Sequence, residues 1–412
     1  SLVISMTIRV GIIGQGYVAS TLALGLARIK EGEIGLNGIP FQNFIKSYRV
    51  EDVEIVSSID VDANKIGLSL LDVVRMYFPS LSKKYESLER VRVSPGIHLG
   101  STRNLPIKAV GIESEVGLEN AIYEIVNEWD KSGVDVLVNL ITTEYSEPLE
   151  SFHHLHKLIR SNEYEGLPAT YAYVYAAAVY AETVKPVAFI NAIPATVARS
   201  RSIVRAFEER NSIVLGDDGA SGATPLTSDI LEYLAERNRV PRGVVQFNIG
   251  GNLDFLALLD ETRNKAKEKT KSTVVSDVLG FEVPTFIKPT GYVEYLGDKK
   301  FVSMHIETIG FNESIDEIVV NARINDSPAL AGLLVDLVRL AKIALNAGYR
   351  GTLYEINSFY MKSPGPEGSK SISRIVAYQI LVDWLLRMGE LTRLPRYSVH
   401  NFIPELKKIY DL

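Results

Sequence analysis

The segment IRVGIIGQGYVAS, residues 8–20, constrains the fold more than any other stretch of the 412-residue chain. An almost continuous apolar run of strand length passes into two glycines one residue apart, and TLALGLARI then continues with helical spacing. A strand apolar on both faces, a glycine turn and a helix form the opening unit of a parallel sheet covered on both sides. In this unit Gly14 permits the tight turn, Gly16 lets the backbone approach a pyrophosphate, and the small Ala19 lets helix and strand pack closely. The resulting G-x-G-x-x-A pattern is that of a dinucleotide site, with helix N-terminal amides facing the phosphates. A tight strand-to-helix turn without a ligand has the same spacing, so other segments must decide.

Further short strands are expected at 53–59, 134–140, 187–190 and 213–215, with helical intervals between them, which predicts an α/β fold. Beyond about residue 245 the pattern changes. FVSMHIETIGF and SIDEIVVNARIND read as successive strands, and ALAGLLVDLVRLAKIALNAG and RIVAYQILVDWLLRM as amphipathic helices, so an α+β unit with a mixed or antiparallel sheet follows. Gly348 and Gly351 mark a helix exit, and MKSPGPEGSK is expected to be a loop that stays mobile until a ligand arrives. A hydrophobic fraction of 46% with 17 prolines, over this length, favours two domains.

Forty-four Lys and Arg against fifty Asp and Glu leave a net charge of -6, without the basic excess or basic-aromatic stripe that nucleic acid requires. The absence of cysteine excludes disulfides and thiolate catalysis. SLVISMTIRVGIIG carries no basic leader and no run of about 18 to 20 apolar residues suited to a bilayer, so no membrane partner is expected and the predicted location is cytoplasmic.

The ribose-binding carboxylate of a dinucleotide site lies about 20 residues beyond the glycines. Here the candidate is Asp60, at the end of EIVSSID, displaced by the insertion EGEIGLNGIPFQNFIKSYRVED. Its charge would accept ribose hydroxyls and disfavour the extra phosphate of NADP, while a local turn acceptor is the structural alternative. Asn139, Thr142 and Thr143 follow one buried strand, and Asn191 and Pro194 follow another; topology makes them candidate cofactor contacts.

The stretch RNKAKEKTKST, 263–273, concentrates lysines at 265, 267, 269 and 271. On a helix Lys267 and Lys271 share one face while Lys265 and Lys269 lie on an adjacent one. Such a run is either a solvated face or an anion site. GDDGASGATP offers Ser221, Thr224 and backbone donors to a phosphate, with Asp217 and Asp218 placed to position a cation or a cofactor amide. In NIGGNLD, Asn248, Asn252 and Asp254 surround Gly250 and Gly251, which would allow close approach of a ligand. YLGDKKF sets Asp298 beside Lys299 and Lys300, NARINDSP supplies Asp326, and FYMKSPG supplies Lys362 in a hinge-like loop. Converging lysines would lower one another's pKa toward neutrality. His153, His154 and His156 read as a polar helix face, not as a metal set.

GDDGASGAT, NIGGNLD, KTKSTVVSD, GDKKF, NARINDSP and FYMKSP, in that order and preceded by GIIGQGYVAS and SIDVDANKIG, closely resemble the inositol-1-phosphate synthase family over nearly the whole chain. The likeness is nearer the shorter archaeal and bacterial forms. It implies a Rossmann-like NAD domain over 1–244, an inserted α+β catalytic and oligomerisation domain over 245–345, and a segment 346–412 that returns to complete the first domain. It further implies a cytoplasmic homotetramer of inositol and phospholipid biosynthesis that converts D-glucose 6-phosphate to 1D-myo-inositol 3-phosphate, also called 1L-myo-inositol 1-phosphate. The implied route is C5 oxidation by NAD, enolisation, intramolecular aldol closure and C5 reduction.

By the same resemblance Lys267, Lys300 and Lys362 are catalytic, with Lys267 the expected proton-transfer lysine, and Asp298 and Asp326 either orient them or connect them to a proton relay. Lys271, Ser221, Gly222, Asn248 and Asn252 fall at substrate-phosphate positions, and Asp218 falls beside the cofactor. A divalent cation on Asp218 and a metal-free lysine site both remain open. Two other functions do too: a sugar-phosphate dehydrogenase that releases NADH, and a cofactor-binding protein whose lysine face docks an acidic partner.

Overall fold

The structure, a computed structural model, describes residues 7–395 and 399–403 with positions 405 and 408; the side chains of 269–272 and 400 lie outside the described residues. Six strands, β1 (Ile8–Ile13), β2 (Val53–Asp60), β3 (Val93–Pro95), β4 (Val136–Asn139), β5 (Ala188–Asn191) and β6 (Ile213–Leu215), form one sheet in the order β3-β2-β1-β4-β5-β6. Every pairing in it is parallel. The central strands are almost wholly buried because helices cover both faces, which is why their sequences are continuous apolar runs. Tyr17–Lys30 and Asp326–Asn346 pack on one face; Leu118–Ser132, Ala169–Thr183 and Arg201–Glu208 pack on the other. This is the expected α/β architecture. β3 was not anticipated, since its residues Val93, Ser94 and Pro95 do not form an apolar run.

A second sheet is built from β7 (Val240–Gly250), β8 (Thr285–Tyr292), β9 (Lys299–Ile309) and β10 (Ile315–Asn325), in the order β10-β9-β7-β8. It is mixed: β7 and β8 run parallel, joined through helix Glu261–Leu279, and the other pairs are antiparallel. Leu231, Leu234, Val244, Val275, Ile287, Met304 and Ile306 form the core between this sheet and its two covering helices.

Two helices that neighbour the expected boundaries at 244 and 345 link the two cores. Helix Ala223–Ala235 already belongs to the second core through Leu231 and Leu234. Helix Asp326–Asn346 runs back onto the first sheet, setting Leu334, Leu337, Val338 and Ala341 in one core with Val10, Ile12, Val136 and Val138. Helical periodicity reveals an apolar stripe but not which core the stripe will meet.

That returning helix also secures the 31–52 insertion. Asp336 accepts hydrogen bonds from the Phe41 backbone N–H at 2.9 Å and the Tyr360 hydroxyl at 2.9 Å, and pairs with Arg339. Arg339 in turn donates to the Gln42 and Tyr48 carbonyls. Both charged side chains are fully buried. Removing one partner of such a pair leaves the other charge uncompensated, so Asp336→Ala should destabilise the fold by about 3–5 kcal/mol, measured by urea unfolding.

Candidate active site

The crevice forms where the strand order reverses, between the carboxyl ends of β1 and β4. Gly14 has φ +93°, and a Cβ there would meet the Ile141 backbone N at 2.8 Å, so this glycine admits the chain leaving β4. A Cβ on Gly16 would meet nothing within 4 Å, which leaves the start of helix Tyr17–Lys30 open to a ligand. Ala19, Thr142 and Thr143 line the crevice beside it. Asp60 ends β2 as expected, but its carboxylate accepts hydrogen bonds from the Gln15 N–H at 2.7 Å and the Asp62 N–H at 2.8 Å, with Lys65 Nζ 3.8 Å away. It therefore ties the glycine turn to β2, whatever else it contacts.

Asn139 and Asn191 do not face the crevice. Both are fully buried, and Asn139 donates to the Asn191 side chain at 3.0 Å. Asn191 donates to the carbonyls of Ile193 and Ala195 and to Asp217. Pro194 is buried too, with its carbonyl accepting from Arg199. These residues shape the loop beneath Ala192 and Ile193, which are the members of this turn that reach the crevice. Asp217 is likewise turned inward, accepting from the backbone N–H groups of Val197, Ala198 and Arg199 at 2.9–3.0 Å.

Asp218, the next residue, faces the crevice and receives two lysines. Lys362 Nζ lies 3.0 Å from its Oδ1 and Lys267 Nζ 3.4 Å. Lys267 also lies 3.6 Å from Asp254, whose other oxygen accepts from the Thr143 hydroxyl at 2.7 Å. Lys300 pairs with Asp326 at 3.0 Å. A Cβ on Gly222, φ +62°, would meet Lys300 Nζ at 2.8 Å, so the absence of a side chain is what lets this turn approach the ammonium. Three lysines from distant segments thus gather with Asp218, Asp254 and Asp326. Asp254 was singled out in the sequence only as part of the NIGGNLD turn and given no site role; its place beside Lys267 in space had no sequence signal.

Strand alternation explains which lysine of each run enters. Lys300 of β9 is buried while Lys299 is exposed. On helix Glu261–Leu279, Lys265 stays on the solvent face and pairs with Glu261 at 3.3 Å, whereas Lys267 turns inward. Lys271 lies among the side chains outside the described residues. Lys362 is no hinge: its N–H donates to the Asp218 carbonyl at 2.8 Å, and Asp217 and Ser363 exchange backbone hydrogen bonds beside it.

The electrostatics separate the two lysines that share Asp218. Burial opposes the charge on Lys267, but Asp218, Asp254 and Asp326 outweigh it and raise its pKa. Burial of Lys362 is reinforced by the like charges of Lys267 and Lys300 and only partly offset by Asp218, which brings its ammonium down to about 8. Burial also pushes Asp326 upward, yet Lys300 and Lys267 hold it below the usual carboxylate range.

The glycine-rich turn serves packing more than ligand approach. A Cβ on Gly250 would meet the Phe255 ring at 2.4 Å, and one on Gly251 would meet the Val293 carbonyl at 2.3 Å. Asn248, on β7, is fully buried, donating to the Lys288 carbonyl and accepting from Gln246. Asn252 does line the crevice and donates to Asp298 at 3.2 Å. Asp298 also accepts from the Ser327 hydroxyl at 2.6 Å and N–H at 2.9 Å, fixing the start of the Asp326–Asn346 helix. Ser221 lines the crevice beside Asp218. Among the described residues no group of three or more His, Asp or Glu side chains is gathered to hold a metal ion.

A parallel sheet in this strand order, with an open glycine turn at its switch point and a lysine-bearing α+β unit over the crevice, defines a Rossmann-type α/β protein with a composite active site. The sequence model of the family Myo-inositol-1-phosphate synthase matches residues 222–327. The crystal structure of a myo-inositol-1-phosphate synthase-related protein from Thermotoga maritima superposes with a TM-score of 0.88 at 48% identity, covering 94% of this chain and 100% of that one. The inositol-3-phosphate synthase of Mycobacterium tuberculosis is 28% identical over 388 residues, covering 92% of this chain and 96% of that protein. Inositol-3-phosphate synthase from Caenorhabditis elegans shares the fold, with a TM-score of 0.76 at 17% identity over 97% of this chain and 89% of its own. The chain belongs to the myo-inositol-1-phosphate synthase family, a family of enzymes.

The Gly251 contact yields a test of the geometry. Gly251→Ala forces the 293–297 turn away and moves Asp298 with it. It should cost about 1–3 kcal/mol by thermal unfolding and lower activity by about 10- to 100-fold, although no catalytic group is changed.

Proposed function

We propose that this chain is an NAD-dependent inositol-3-phosphate synthase that converts D-glucose 6-phosphate to 1D-myo-inositol 3-phosphate. The observation that carries the reading is the convergence of Lys267, Lys300 and Lys362 beside the glycine turn. A plain hydride-transfer enzyme needs one acid-base group at the carbinol carbon; ring closure adds an oxyanion at a second carbon and so needs a second cation.

The residues at the switch point fit a dinucleotide. Gly16 and the following helix start would hold the pyrophosphate, and Thr142 and Thr143 border it. Asp60 would face the adenosine ribose. NAD held there supplies hydride acceptance from C5 and its return within one turnover.

Lys362, nearest to neutrality, accepts the C5 hydroxyl proton, and Lys267, kept charged by its three carboxylates, stabilises the C5 oxygen. The proton-transfer role thus moves from Lys267 to Lys362, because burial and like charge act on Lys362 while surplus carboxylate acts on Lys267. The C5 ketone acidifies the C6 proton. The substrate's own phosphate takes that proton, C6 attacks the C1 aldehyde, and Lys300, oriented by Asp326, stabilises the oxyanion that grows at C1. Ser221, the Gly222 amide and the start of helix Ala223–Ala235 receive the substrate phosphate.

The second sheet has a face that no described residue covers, and burying it between copies of the chain is consistent with the proposed homotetramer. Phe247, Phe286 and Val319 are exposed there, with the two phenylalanine rings 5.6 Å apart. No helix among the described residues is long and apolar enough to cross a membrane. A water-soluble sugar phosphate as substrate supports a cytoplasmic enzyme.

Incubation with glucose 6-phosphate and catalytic NAD should give inositol phosphate without net NADH. Stoichiometric NADH with a keto sugar phosphate would instead identify a dehydrogenase, and tight NAD binding without turnover a binding protein. The same assay after chelation, with metal analysis, decides whether a divalent cation takes part. Lys300→Ala should retain C5 hydride exchange while blocking cyclisation; loss of C5 oxidation with intact cyclisation of a supplied 5-keto intermediate would overturn its role.

The pH dependence follows from Lys362. Below about pH 8 its ammonium is protonated and cannot accept a proton, so kcat/KM, which reports the free enzyme, should rise through about 8 and level off above it. Lys362→Arg keeps the charge without a usable pKa, and should abolish that rise and lower kcat by about 10²- to 10⁴-fold.

A further inference from the structure

Arg263 stands one helical turn before Lys267, at the start of helix Glu261–Leu279. Asp260 caps this start by accepting from the N–H groups of Thr262 and Arg263. The Arg263 side chain does not join the solvated face. It is 7% exposed and crosses to the other unit, where Nη2 donates to the carbonyls of Ser101 and Arg103, each at 2.9 Å.

Those carbonyls belong to the segment that leaves β3 at the carboxyl edge of the first sheet. That segment is itself held, since the Glu113 carboxylate accepts from the N–H groups of His98 and Leu99. Close by in sequence to Arg263, Asp254 accepts from Thr143 at 2.7 Å, on the chain that leaves β4. The lysine-bearing unit therefore grips the first sheet at two points, beyond β3 and beyond β4.

The guanidinium is not fully satisfied. Its Nη1 is buried without a hydrogen-bond partner, and burial lowers the pKa of Arg263 despite the nearby charges of Asp260, Glu144 and Asp254. A buried, partly unpaired cation contributes poorly to stability, so the arrangement is better explained by the geometry that it imposes.

We infer that Arg263 is a positioning residue, a latch that fixes the first turn of the lysine helix to the 101–103 segment and so sets Lys267 against Asp218 while the site is closed. The inference rests on the synthase reading above. In that reaction the ketone and the reduced cofactor must stay in place until the ring has closed, and the latch joins the two units that enclose them.

Arg263→Met should lower kcat for cyclisation by about 10- to 100-fold, with KM for glucose 6-phosphate little changed. It should also uncouple the cycle, so that NADH and keto sugar phosphate escape and the ratio of NADH released to inositol phosphate formed rises from near zero. Arg263→Lys, which can reach one carbonyl but not both, should fall between the two; it becomes the test variant if Arg263→Met does not fold. Hydrogen exchange gives a readout independent of activity. In the unsubstituted protein the amides of 98–105 and 261–267 should open together, and in the folded variant both should lose protection. A folded variant that keeps the original kcat, product ratio and exchange pattern overturns the latch. If the unsubstituted protein makes no inositol phosphate, the synthase reading fails, and the exchange comparison still decides the latch.

Discussion

The site depends on one carboxylate. Asp218 lies on the turn after β6 and is shared by Lys267, from the helix between β7 and β8, and Lys362, from the chain beyond helix Tyr354–Tyr360. Two ammonium groups brought so close would repel, and burial would add to the penalty, so a shared anion is the condition for holding both. Because Lys267 has further carboxylates and Lys362 has like-charged neighbours, the same anion leaves one lysine firmly charged and the other near neutrality. Two chemically identical side chains thus differ in proton affinity through their surroundings alone.

The surrounding backbone makes that meeting possible. Asp217 points the opposite way from Asp218 and binds the 197–199 amides, so the turn is anchored from behind while its next residue projects into the crevice. The Met361–Ser363 segment is hydrogen-bonded to the same turn, so Lys362 arrives on a fixed strand of chain. Gly222 and Gly251 allow backbone and side chains to approach where a methyl group would collide. Each of these features is structural in itself, and each controls the position of a charged atom.

Helix Asp326–Asn346 joins the two levels. It begins with Asp326 against Lys300 and Ser327 against Asp298, and several turns later buries Asp336 and Arg339 in the core of the first sheet. Its apolar stripe lies against β1 and its neighbours, so the pairing of Lys300 is referenced to the sheet that carries the glycine turn. A fold with separate, loosely joined units would not hold these charges in register.

The sequence by itself determined the elements whose signals are local. The strand, glycine turn and helix at 8–20, the β9–β10 pair and the long amphipathic helices all follow from periodicity, because side-chain burial repeats at the period of the backbone. The order of the lysine and aspartate motifs pointed to the family, and the resemblance picked Lys300 from the pair Lys299 and Lys300. Only the tertiary structure decided that Asn139, Asn191 and Asn248 turn away from the crevice, that Asp254 enters it, that helix Asp326–Asn346 serves the first core, and that Lys362 and not Lys267 lies near neutrality. The physical reason is common to all four: burial and pKa depend on which groups from distant segments share a few ångströms, and no local pattern encodes that proximity.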